Sequence, residues 1–102
     1  MAAAFAVPGD HPCLPGHFPG RPVVPGVVVL DHVLAAIEAQ AGPLAAVRIP
    51  QVKFLQPLLP GQVATVVLEE RPLPGRRAWR FRVECAGAAI ASGEIQAADG
   101  GP

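Results

Sequence analysis

Two residues of this chain have types suited to acid–base chemistry. Asp31 interrupts an otherwise apolar run, Val27, Val28, Val29, Leu30 and Val33. A carboxylate buried there loses its hydration, so it must be paired, neutralised or put to use. By position alone, a helix side chain facing water or bonded to a neighbouring backbone amide also fits. His17 sits in LPGHFPGRP, held between Gly and Pro residues that restrict the backbone. An unperturbed imidazole titrates near ~6.5, well placed for a general base at neutral pH. A solvated or structural loop histidine is the plainer reading of His17, and of His11 and His32. His32 follows Asp31 directly and so points to a different helix face.

Other chemistries find little support. There is no tyrosine, and Ser92 and Thr65 are the only side-chain hydroxyls. Serine-based covalent hydrolysis is therefore not expected, and no phosphate-binding or dinucleotide glycine motif is present. Cys13 and Cys85 lack CxxC spacing and a nearby histidine pair, so no metal and no cofactor is expected.

The elements that must position His17 and Asp31 follow from the pattern of apolar residues, proline and glycine. The 102 residues fit one domain, 1–102, with Ala98 to Pro102 expected as a frayed tail. Ala2 to Val7 reads as a short strand. Pro8 to Pro25 is an irregular segment carrying His11 and His17. Gly26 to Ala41 is the one long helix, opened by Pro25 and closed by Gly42-Pro43. It is apolar nearly all round, which predicts burial on most sides.

Val47 to Leu55, Val63 to Glu70, Ala78 to Cys85 and Ala88 to Ala97 read as strands. Trp79, Phe81 and Val83 alternate with Arg80, Arg82 and Glu84, the pattern of a strand with one buried face. Pro60-Gly61 and Pro74-Gly75 mark reversals between neighbouring strands. One early helix followed by antiparallel strands predicts an α+β fold, a sheet curled over the helix. So small a chain cannot cover both faces of that sheet, so an obligate two-fold dimer joined edge to edge is expected.

Formal net charge is zero, so no global field draws nucleic acid or a membrane. The N-terminus lacks a basic signal-peptide region, and no uncharged apolar run reaches the ~20 residues needed to span a bilayer. A cytoplasmic setting is the default. Locally, Arg71, Arg76, Arg77, Arg80 and Arg82 supply five of the eight cationic residues within twelve positions. Either a solvated hairpin face or a docking patch for an acidic partner accounts for them. Arg21, beside the His17 turn, is a separate candidate.

Taken together, His17-Phe-Pro-Gly-Arg-Pro-Val-Val-Pro-Gly-Val-Val-Val-Leu-Asp31 resembles the active-site stretch of the 3-hydroxyacyl-acyl carrier protein dehydratases. That family shows HFPGxPxxPG and then a helix with an acid fourteen positions after the histidine. Residues 52–62, VKFLQPLLPGQ, resemble its VKFxxPVxPGD segment. The DHPCLPGHFPG opening is similar to the short dehydratases of aryl-polyene-type clusters. Two departures stand out: the acid is Asp, where one branch has Glu, and Ala35 replaces a glutamine that supports the acid.

The resemblance implies a hotdog fold, an antiparallel sheet wrapped around one long central helix. It implies His17 and Asp31 as the catalytic pair, with each site taking His17 from one subunit of a homodimer and Asp31 from the other. Val23, Pro25 and Gly26 are the implied substrate-binding residues, Gly26 offering its N–H to a thioester oxygen at the helix N-terminus. An acyl carrier protein carrying a 3-hydroxyacyl chain is the implied partner, with Arg21, Arg76, Arg77, Arg80 and Arg82 as the residues to hold it. The implied reaction removes water to leave a 2-enoyl thioester, in fatty-acid or polyene-type biosynthesis. A hotdog acyl thioesterase and a non-catalytic acyl-binding subunit are the alternatives.

Overall fold

The computed structural model describes residues 2–7, 23–71 and 73–98. The elements in chain order are β1 (Ala2–Ala6), α1 (Gly26–Ala41), β2 (Arg48–Phe54), β3 (Val63–Glu70), β4 (Arg76–Cys85) and β5 (Ala88–Ala98). The strands form one antiparallel sheet in the order β1-β3-β4-β5-β2, which leaves β1 and β2 at its edges.

Cross-strand register sorts the side chains into two faces. Val66, Val83, Ala91 and Phe54 form one inner row, and Leu68, Phe81, Gly93 and Val52 the next. The outer rows are Val67, Arg82, Ser92 and Lys53, then Glu69, Arg80, Glu94 and Gln51. The core gathers Trp79, Phe81, Val83 and Ile95 of the inner face against Val28, Val29, Val33 and Ile37 of α1. Apolar burial of this kind is the main force holding helix to sheet. Gly93 is required by its neighbours. A Cβ there would press to 2.9 Å from the Phe81 ring and overlap the Gln51 carbonyl oxygen.

Pro25 caps the start of helix α1, with a φ of −60° and no N–H to leave unbonded. The helix ends where Gly42, at φ 83°, returns its N–H to the Glu38 carbonyl. Pro74-Gly75 forms the expected reversal between neighbours, β3 and β4, whereas Pro60-Gly61 is a turn between β2 and β3, which do not pair because β4 and β5 lie between them. A third turn carries no such mark: Ala86 (φ 51°) and Gly87 (φ 80°) join β4 to β5, both positive as a two-residue type I′ loop demands.

Three further expectations need correction. Helix α1 is buried along one stripe, not on most sides, because the sheet covers one face of it. Val27, Asp31, Ala35 and Glu38 are exposed along the opposite stripe. Strand β4 starts at Arg76 rather than Ala78, since the turn at Pro74-Gly75 is tight enough for pairing to begin at once. Ala98 belongs to β5 and not to the tail, held by its N–H bond of 2.9 Å to the Ala45 carbonyl.

Candidate active site

An apolar cavity of about 520 Å³ opens at the N-terminus of α1. Two chain segments form its walls. One, Val23 to Gly26, leads into the helix, and the other, Phe54 to Leu58, leaves β2. The Val24 N–H donates to the Leu58 carbonyl at 2.8 Å and ties the segments together. The Leu55 and Gln56 N–H groups both donate to the Ile90 carbonyl, at 2.8 and 3.3 Å, anchoring the second wall to β5.

Val23, Pro25 and Gly26, the three residues expected to contact substrate, all line this cavity. The first α-helical N–H groups have no carbonyl of their own helix to bond, and that of Gly26, which lines the cavity, has no hydrogen-bond partner among the described residues. A carbonyl oxygen gaining negative charge is stabilised by such donors and by the helix dipole. Among the lining residues only Gln56 carries a polar side chain. The rest of the wall is hydrocarbon or aromatic and suits an acyl chain.

Asp31 does not line the cavity. It is exposed on the outer stripe of α1, and among the described residues it has no hydrogen-bond or ion-pair partner. Of the two readings of its position, the helix side chain facing water is the one seen, and Val27 on the same stripe is itself 64% exposed. His32 turns instead toward β1 and stacks on Phe5, ring centroids 4.2 Å apart and 7° from parallel. His17, His11, Cys13 and Arg21 lie outside the described residues.

The arginines divide between the faces. Arg80 and Arg82 are exposed on the outer face, as the alternation of β4 predicts. Arg76, also exposed, donates to the Gln96 side chain at 3.1 Å. Arg77 does not join them. It shares the parity of Trp79, whose ring it covers at 4.9 Å, and it bonds Glu70 and the Ala41 carbonyl at the end of α1. Two cations of β2 that the sequence pattern did not single out, Arg48 and Lys53, face outward beside the others. Among the described residues Arg48, Lys53 and Arg80 have no ion-pair partner.

The model of the ApeI-like family, ApeI dehydratase, matches residues 1–94, a span that includes both His17 and Asp31. The chain belongs to the ApeI-like dehydratase family. A 3-hydroxyacyl-[acyl-carrier-protein] dehydratase FabZ of Haemophilus influenzae is 34% identical over 74 residues, covering 61% of this chain and 50% of the relative. The chain thus spans about half the length of the curated relatives it matches.

Among solved structures, the dehydratase heterocomplex ApeI:P from Xenorhabdus doucetiae superposes with a TM-score of 0.76 at 22% identity, over 96% of this chain and 86% of that one. The fluoroacetyl-CoA thioesterase FlK reaches 0.71 at 23% identity, over 96% and 82%. At such identities these likenesses speak for the fold alone, and the fold is the hotdog. No helix of the described residues is long and apolar enough to cross a membrane.

Proposed function

We propose that this chain removes water from a 3-hydroxyacyl thioester, with His17 and Asp31 as its acid–base pair. The observation that supports it best is the apolar cavity at the α1 N-terminus, walled by the residues that follow the His17 motif. The acyl chain lies along the hydrocarbon wall, and the thioester oxygen takes the N–H of Gly26. His17 accepts the C2 proton, the electron pair forms the C2–C3 double bond, and the C3–oxygen bond breaks. Asp31 serves as the acid that gives the departing hydroxyl a proton, so one water leaves and a 2-enoyl thioester remains.

Asp31 stands off its own chain's cavity, so the pair is assembled between two copies. The β2 edge has no neighbour in the sheet, and Val47, Ile49 and Leu55 beside it are exposed apolar residues. A second copy adding its own β2 there continues the sheet and covers that surface. The same pairing brings a second copy's surface toward the exposed Asp31. A non-identical subunit, as in the Xenorhabdus heterocomplex, is the competing occupant of the same edge.

The substrate is carried on an acidic acyl carrier protein that docks against Arg80, Arg82 and Arg76, with Arg48 and Lys53 extending the patch and Arg21, four residues after His17 in sequence, as a further contact. Incubation with 3-hydroxyacyl carrier proteins of several chain lengths, followed by mass detection, tests the reading. Loss of one water supports it. Release of the free hydroxy acid identifies a thioesterase, and an unchanged mass identifies a binding subunit.

A further inference from the structure

The lining of the cavity at the α1 N-terminus is graded by burial. Val24, Val29, Leu58 and Ile90 are buried, whereas Phe54, Leu55, Gln56 and Pro57 are exposed and form its rim. The rim stands directly beside the start of the helix. A Cβ placed on Gly26 would lie 2.7 Å from the Phe54 ring.

Gln56 is the only lining residue with a polar side chain. Its main chain is fixed, since its N–H donates to the Ile90 carbonyl at 3.3 Å. Its side-chain amide bonds no group among the described residues. A donor and an acceptor are therefore available at the rim of an otherwise apolar cavity.

The burial gradient orients an acyl thioester. Its hydrocarbon chain takes the buried side, its carbonyl oxygen takes the Gly26 N–H, and the carrier arm leaves over the rim. That arm is a pantetheine, whose first amide lies two methylenes from the sulfur. Against an apolar wall this amide loses water and needs a hydrogen-bond partner. We propose that Gln56 is that partner, its Oε1 accepting from the arm's N–H, and that it thereby selects pantetheine-borne substrates and sets the thioester against Gly26. The inference rests on reading the cavity as the acyl site.

The test is calorimetric binding of an S-alkyl pantetheine thioether and of its analogue with an ester in place of that amide, which removes the N–H and needs no turnover. Wild type should bind the amide ligand about fivefold more tightly than the ester, the scale of one net hydrogen bond. Gln56→Met, apolar and of similar length, should bind the two alike. Gln56→Glu keeps an acceptor and should restore the preference. Position 56 is exposed, so these variants should fold. Binding with no amide preference in wild type, or with the same preference in Gln56→Met, overturns the role of Gln56 and leaves the acyl site intact. No binding of either ligand by wild type overturns the acyl site and the role of Gln56 together.

Discussion

The Arg77 guanidinium lies 4.9 Å over the Trp79 indole while donating to the Glu70 carboxylate at 3.2 Å. A third bond, 3.4 Å to the Ala41 carbonyl, joins strand β4 to the end of α1. Within a run of arginines that reads as surface, this one fastens helix to sheet. Arg77→Ala should cost about 1–2 kcal/mol of stability, an amount kept low because the ion pair is partly solvated. Denaturant unfolding measures it, and an unchanged midpoint would show that the contacts contribute nothing.

Arg80 and Arg82 should behave in the opposite way. Reversing both to glutamate should leave stability nearly unchanged, since they project outward. Turnover of a carrier-bound substrate should slow more than that of a small thioester mimic, with the difference shrinking as salt rises. Charges are screened beyond ~8 Å at physiological ionic strength. Equal slowing of both substrates would return these residues to an ordinary solvated face.

The proposed dimer joins through the open β2 edge. Ile49→Asp combined with Leu55→Asp places two charges beside it at positions 37% and 53% exposed in the single chain, so folding should survive. Sedimentation should show a monomer, and turnover should vanish with the dimer. An active dimer in this variant would move the interface elsewhere.

Gly93→Ala should be the most damaging single methyl in the sheet. The added carbon meets the Phe81 ring and the Gln51 carbonyl, neither free to retreat. Overpacking on this scale costs about 2 kcal/mol or more, equivalent to roughly 10 °C in melting temperature for a domain of this size. A thermal melt within a degree or two of wild type would contradict the packing described.

Helix α1 was legible to the residue because Pro25 and Gly42-Pro43 bound an apolar run. The strands were legible because Trp79, Phe81 and Val83 alternate with charged residues. The same alternation separates Arg77 from Arg80, but clustering in sequence hid the parity. Phe54 and Gln56 lay within a segment whose resemblance was visible, yet only the fold shows that it faces the start of α1. The turn at Ala86-Gly87 lacks proline and places an alanine at positive φ, so composition gave no warning. The surroundings of Asp31 were illegible for a different reason. Its apolar neighbours in sequence allow burial as well as exposure, and Val27 and Ala35, a turn away on the same stripe, are exposed with it.

Reconstitution of activity from two inactive variants tests most directly the claim that His17 and Asp31 act together across a two-fold dimer. His17→Ala and Asp31→Asn, produced separately, should each lose at least ~100-fold in dehydration while remaining folded. Produced together in equal amounts, half the dimers are mixed, and each mixed dimer holds one site with both residues intact. Turnover should then return to about one quarter of wild type. Persistent inactivity of the mixture, with mixed dimers shown to be present, would contradict the shared site.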